Sequence, residues 1–209
     1  CISSVEEAAA AIRCGASALG LVSAMPSGPG PISEELIAEI IATEPPHIAT
    51  FLLTSRQDAE SIIAQQRKTK ANTLQLVDAV SVDVYRALRN ELPGVSIVQV
   101  IHVIDQSSVE EAVNVSQYVD LILLDSGNPK LAVKELGGTG RRHDWSLSRK
   151  IVESVTVPVF LAGGLKEENV REAIETVRPY GVDLCSGVRT NGRLDEGKLE
   201  RFFHAVNMQ

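Results

Sequence analysis

The sequence has few cysteines, no long apolar run and no excess of basic residues, and each shortage excludes a class of protein. Its three cysteines, Cys1, Cys14 and Cys185, lack the spacing of a disulfide framework or a metal site. The four histidines are scattered and form no ligand motif. Neither a signal peptide nor a stretch long enough to span a membrane occurs. We therefore expect a protein of the reducing cytoplasm that uses no metal and no cofactor.

The charge balance argues against two kinds of partner. The 209 residues carry a net charge of -7 at pH 7, whereas nucleic acids and anionic membranes bind clustered Lys and Arg. We therefore expect neither as a partner. An anionic small molecule would instead rely on helix N-termini and a few arginines. The length suits one large core, so we expect residues 1–209 to form a single domain, as a monomer or a homodimer.

Short apolar runs alternate with amphipathic segments along the chain. Candidate strands cover 17–22, 48–53, 72–77, 96–103, 119–125, 157–164 and 181–187, and helical periodicity covers most of the segments between them. Strands that are apolar on both faces and alternate with helices indicate a parallel sheet, either a closed (βα)8 barrel or an open doubly wound sheet. No G-x-G-x-x-G follows an early strand, and this favours the (βα)8 TIM barrel.

These seven runs are one fewer than the eight strands of such a barrel. Ser4 and Glu7 form a capping box, which predicts a first helix over Val5–Cys14. Since this helix opens the chain, we expect the first strand to precede Cys1 or to be lost.

Glycine-rich segments follow several of the later runs. Glycine lets backbone N–H groups approach a phosphate closely, and a helix that starts nearby directs its positive end at the anion. A tight turn without a ligand is the alternative use of such glycines. We predict a phosphate site formed by Gly138, Gly163, Gly164, Ser186 and Gly187.

The run LLDS (123–126) places a carboxylate at the end of an apolar strand. In parallel barrels this end of the strand faces the rim that carries the chemistry. Asp125 is therefore a candidate general acid. The alternative is a solvated Asp125 that caps the following turn through Ser126 and Gly127.

Four segments, in this order, resemble the phosphoribosylanthranilate isomerase family of (βα)8 enzymes from tryptophan biosynthesis, and the likeness covers nearly the whole chain. They are LLDS (123–126), GGTG (137–140) with Asp144–Trp145, LAGGL (161–165) with Glu168–Asn169–Val170, and SGV (186–188) with Asp195 and Lys198. The resemblance implies a phosphorylated sugar substrate. It also implies an Amadori rearrangement of N-(5-phosphoribosyl)anthranilate to 1-(2-carboxyphenylamino)-1-deoxyribulose 5-phosphate.

The resemblance further implies an acid and a base. Asp125 would protonate the ribose ring oxygen, and the family's strand-one cysteine would remove a proton from the adjacent carbon. Aligning Glu6–Glu7–Ala8 with the family's first helix places that cysteine immediately before Cys1. The other register makes Cys1 the base and needs a one-residue deletion in a tight turn.

Three positions depart from the family's pattern. The loop 23–33 lacks the arginine of the family's Ser-x-Arg, which grips the aromatic carboxylate, and the family's Gln-Leu-His-Gly is replaced by residues 75–78. Arg189 follows SGV where the family has Glu, so we predict that Arg189 binds the substrate carboxylate; a solvated loop arginine is the alternative. These departures support a second hypothesis, a phosphosugar-binding barrel that has lost or changed the isomerase activity.

Overall fold

Seven parallel strands and eight α-helices alternate within residues 1–207, the part of the chain that the computed structural model describes. The strands β1 to β7 are Ala18–Val22, Ala49–Thr54, Thr73–Leu76, Ser96–His102, Leu121–Asp125, Val159–Leu161 and Gly181–Val182. The helices α1 to α8 are Val5–Arg13, Glu34–Thr43, Ala59–Thr69, Val82–Glu91, Ser107–Ser116, Trp145–Ser154, Val170–Val177 and Glu196–Asn207. Each strand pairs with the next in chain order, so the sheet curls into a half-barrel. The predicted parallel α/β architecture is confirmed.

Alternation along each strand divides the core into two parts. Leu52, Ile97 and Leu124 face outward and pack under the helices. Val98 and Leu123 belong to a separate cluster inside the half-barrel. Because side chains alternate with period two, the last inward position of β5 is its final residue, and the strand end can carry a functional side chain. No helix among the described residues combines the length and apolar character needed to cross a bilayer.

β1 and β7 are the two edges of the sheet in the described part of the chain. Ile2 N–H donates to the Gly20 carbonyl at 2.9 Å, so the residues before α1 lie beside β1. A cavity of about 530 Å³ extends from this edge into the half-barrel and is lined by Gly20 and Gly181, among others. An eighth strand of a closed barrel would lie in this gap.

The first helix begins as predicted. Ser4 Oγ accepts a hydrogen bond from Glu7 N–H at 3.2 Å, which confirms the serine half of the capping box. The Glu7 carboxylate, however, accepts from Ser3 N–H at 3.0 Å rather than from Ser4.

The last predicted strand is shorter than expected. β7 ends at Val182, and a 3₁₀ turn covers Ser186–Val188. Two short antiparallel strands follow, β8 (Arg189–Thr190) and β9 (Arg193–Leu194). Asn191 and Gly192 join them with φ angles of 51° and 78°, as is typical of a tight hairpin turn. The Asn-Gly pair signals this hairpin in the sequence, although no strand was predicted there.

The expectation that the cysteines are unpaired was wrong for two of them. Cys1 and Cys185 form a disulfide with a Cα–Cα distance of 5.2 Å, while Cys14 is a free thiol. The two partners are 184 residues apart. They meet because Cys1 lies beside β1 and Cys185 follows β7, the other edge of the same sheet.

We predict that reduction of this disulfide lowers the free energy of unfolding by about 4 kcal/mol, because the bridge closes a very long loop. Denaturant unfolding with and without a dithiol reductant measures the change. Cys185→Ser should unfold like the reduced protein under both conditions. Cys14→Ser is the control and should keep the full response. Three alkylatable thiols in the native, unreduced protein would contradict the pairing.

Candidate active site

The carboxylate of Asp125 lies against bare backbone at the rim of the sheet. Asp125 ends β5, lines the large cavity and is 9% exposed. A Cβ built on Gly137 would lie 2.6 Å from Asp125 Oδ2, and one built on Gly163 would lie 3.2 Å from Oδ1. No larger residue fits at Gly137 without displacing the carboxylate. The loops after β5 and β6 therefore both contact Asp125 through glycine.

The two carboxylate oxygens of Asp125 have different surroundings. Oδ1 accepts a hydrogen bond from Ser126 N–H at 2.7 Å, which is a local turn contact of the kind that the sequence allowed. Oδ2 accepts no hydrogen bond from the residues that the structure describes. One oxygen is thus held by the turn, and the other is available to a group in the cavity.

A small pocket next to Asp125 is lined by all the residues predicted to bind phosphate. Its volume is about 40 Å³. That is room for about three water-sized groups, the scale of a phosphate. Its lining includes Gly138, Gly163, Gly164, Ser186 and Gly187.

Glycine is required in this pocket because backbones approach one another closely. Gly163 and Gly164 have φ angles of 84° and 65°, in the left-handed region that glycine adopts without strain. A Cβ on Gly164 would lie 2.8 Å from the Arg141 carbonyl oxygen, and one on Gly187 would lie 2.2 Å from that of Leu165. The three glycine-bearing loops therefore pack backbone against backbone around the small pocket.

The loop that follows β1 covers the same rim. Ser27 Oγ donates to the Lys134 carbonyl at 2.5 Å. A Cβ on Gly138 would lie 2.7 Å from Pro29, so the loop 23–33 also contacts the glycine-rich loop after β5. Ser27 and Pro29 line the large cavity together with Asp125. The proline-rich loop is thus part of the site wall.

Arg189 is engaged away from the two pockets. It forms an ion pair with Glu7 at 2.9 Å, with side-chain exposures of 10% and 14%. Its Nη1 donates to the Cys1 carbonyl at 2.7 Å. Arg189 lines neither the cavity nor the phosphate-sized pocket. To bind a substrate carboxylate, Arg189 would have to leave Glu7 and pair with the substrate instead. Binding of the substrate carboxylate by Arg189 therefore stays a prediction.

Asp183 is a site residue that the sequence motifs did not indicate. It follows β7 and lines both the large cavity and the phosphate-sized pocket, as Asp125 does. Burial raises the pKa of Asp183. The period-two alternation of side chains along a strand could have indicated Asp183, because it places Asp183 on the same inward face as Gly181.

Cys1 has its sulfur in the disulfide and offers no thiolate in this form.

No group of three or more His, Cys, Asp and Glu side chains among residues 1–207 is arranged to hold a metal ion. The rim brings together two carboxylates, Asp125 and Asp183, beside a small pocket lined by glycine backbone. Binding of a phosphate and proton exchange with an attached group would need groups of this kind.

Comparisons with known proteins agree with the geometry. An N-(5′-phosphoribosyl)anthranilate isomerase 2 of Methanosarcina mazei is 40% identical over 205 residues, covering 97% of this chain and 90% of the relative. The phosphoribosyl anthranilate isomerase of Thermotoga maritima superposes with a TM-score of 0.80 at 28% identity, over 98% of this chain and 94% of that one. Another isomerase of this kind, solved with reduced 1-(o-carboxyphenylamino)-1-deoxyribulose 5-phosphate, gives a TM-score of 0.81 at 26% identity with the same coverage.

The family model of N-(5′-phosphoribosyl)anthranilate isomerase matches residues 1–205, which is nearly the whole chain. The resemblance found in the sequence is thereby confirmed, and the chain belongs to the N-(5′-phosphoribosyl)anthranilate isomerase family.

Proposed function

We propose that this chain converts N-(5-phosphoribosyl)anthranilate to 1-(2-carboxyphenylamino)-1-deoxyribulose 5-phosphate, an isomerisation in tryptophan biosynthesis. The position of Asp125 in the site supports this proposal. Asp125 lines both the large cavity and the phosphate-sized pocket. A sugar phosphate that places its phosphate among the glycines therefore has its ring beside the carboxyl group.

Asp125 is the proposed general acid. It donates its proton to the ribose ring oxygen, the ring C–O bond breaks, and the electron pair of the nitrogen forms an iminium ion. Its Oδ2 accepts no hydrogen bond from the described residues, and Asp125 lines the cavity, so the proton has a path to a substrate bound there. Removal of a proton from the neighbouring carbon then gives an enolamine, which tautomerises to the ketone.

The base has two candidates. The family resemblance suggests a cysteine immediately before Cys1. Within the described residues, Asp183 is the other carboxylate that lines the cavity with Asp125. Its raised pKa makes it a stronger base than an ordinary aspartate once it is ionised. Either group would return its proton to Asp125 between turnovers.

A phosphosugar-binding barrel without turnover is the competing function. The loop 23–33 favours it, since that loop contains no arginine for a substrate carboxylate. The two functions share the phosphate pocket and differ in whether Asp125 transfers a proton. Turnover of N-(5-phosphoribosyl)anthranilate by the purified protein would exclude pure binding.

We predict that Asp125→Asn lowers kcat by at least about a hundredfold, because the amide keeps the shape but cannot supply the proton. Steady-state kinetics and thermal melting measure the effect, and KM and the melting temperature should stay near the parent's. Asp144→Asn is the matched control. Asp144 is the exposed N-cap of α6, and asparagine caps equally well. Turnover of the Asp125 variant within a few-fold of the parent would rule this residue out as the acid.

We predict that phosphate, or sulfate in its place, binds between residues 163–165 and 186–188. Ser186→Ala should weaken inhibition by inorganic phosphate roughly tenfold, since it removes one hydrogen bond to a charged group. The inhibition constant and a crystal structure of the phosphate-soaked protein provide the test. Ser116→Ala, on the exposed end of α5, should change nothing. An anion bound at another place would remove the basis of the assignment.

We predict that Arg189→Ala lowers the free energy of unfolding by about 3 kcal/mol, because it leaves the largely buried Glu7 carboxylate without its cation. Denaturant unfolding measures the loss, and the double variant Arg189→Ala/Glu7→Ala should recover part of it. Steady-state kinetics separate the stabilising ion pair with Glu7 from binding of the substrate carboxylate. A rise in KM for the carboxylated substrate, absent for a decarboxylated analogue, would establish the contact predicted from the sequence.

A further inference from the structure

A histidine outside the sequence motifs lies next to the proposed acid. His143 comes just before α6, on the loop that contains the GGTG segment. A Cβ built on Gly163 would lie 2.9 Å from Ser126 Oγ, 3.1 Å from His143 Nδ1 and 3.2 Å from Asp125 Oδ1. These three polar atoms therefore surround one small space, which exists because residue 163 has no side chain.

The other ring nitrogen of His143 has one partner, a buried serine hydroxyl. Nε2 lies 2.7 Å from Ser148 Oγ. Ser148 is fully buried in α6, and its hydroxyl has no other hydrogen-bond partner among the described residues. When this hydroxyl donates to Nε2, the proton of a neutral imidazole resides on Nδ1. In that tautomer Nδ1–H is a donor on the Asp125 side of the ring.

This Nδ1 has no partner. It is buried, and it accepts or donates no hydrogen bond within the described part of the chain. A buried polar group without a partner costs free energy, so its presence calls for an explanation. Burial lowers the pKa of His143 to about 4, against the opposite effect of Asp125 and Asp144, so the ring is neutral at neutral pH. A neutral donor beside a carboxyl group does not force that group to ionise as a cation would.

We propose that His143 is a positioning residue for Asp125, and that its Nδ1–H donates a hydrogen bond to the Asp125 carboxylate as this forms. The inference rests on the proposed role of Asp125 as the acid. When the Asp125 O–H bond breaks, the proton moves to the ring oxygen and negative charge appears on the carboxyl. A donor that is already in place stabilises this charge more in the transition state than before reaction.

Three substitutions of His143 separate the donor from the shape of the ring. His143→Asn retains an N–H near the position of Nδ1, His143→Gln places one near Nε2, and His143→Phe retains a ring without either. We expect the Phe variant to lower kcat by tenfold to a hundredfold with KM within about twofold of the parent. The Asn variant should recover most of kcat, and the Gln variant should not.

A double variant tests whether the effect passes through the acid. In an Asp125→Asn background no carboxylate forms, so His143→Phe should cause no further loss of kcat. His47→Phe, at an exposed position, is the control for replacing a histidine. If the Phe variant does not fold, Ser148→Ala serves in its place, because it removes the contact that sets the proton on Nδ1. It should lower kcat while KM remains unchanged.

The outcomes distinguish this inference from the proposed function. Parental kcat in the Phe variant, or in Ser148→Ala where that replaces it, would overturn the inference and leave the isomerase function intact. An equal loss in the Asn and Phe variants, or a loss that lies in KM, would also overturn it and indicate a structural role. Lack of turnover by the parent protein would overturn the proposed function and this inference with it.

Discussion

The contact of the Asp125 carboxylate with bare backbone constrains the whole rim. Gly137 lies over one oxygen and Gly163 approaches the other, so the loops after β5 and β6 must converge on one side chain. Loops that converge this closely also meet each other, as Gly164 does with the Arg141 backbone. The same loops line the small pocket. The proposed acid and the proposed phosphate pocket therefore follow from one packing constraint.

The rim could be predicted from the sequence because its requirements are local. A glycine that must adopt a positive φ or accept a neighbouring backbone is visible as a glycine, and a strand end is visible as the end of an apolar run. The structure brings together the five residues predicted for the phosphate pocket and places Asp125 beside them. What a local pattern could not supply is the partner of a side chain that reaches across the sheet.

Contacts across the open edge of the sheet illustrate this limit. Glu7 was visible only as a capping residue, yet its carboxylate also holds Arg189 and accepts from Leu194 N–H at 3.0 Å. Cys1 and Cys185 lie at opposite edges of the half-barrel, and only its curvature brings them together. The predicted role of Arg189 followed from its position after SGV, and chain order does not determine where a flexible side chain points. The direction of that side chain is set by Glu7.

The electrostatic character of the site follows from the apolar interior on which the rim is built. Burial raises the pKa of Asp183 and lowers that of His143, so both groups are driven toward their neutral forms. A carboxyl group that donates a proton beside apolar side chains creates a charge that those side chains do not stabilise. Fixed donors then have a large effect on the barrier, since they need no reorganisation when the charge appears. The proposed proton transfer at Asp125 and the proposed anion binding by backbone N–H groups thus depend on the same condition. Both need donors that the backbone packing of the rim holds in place.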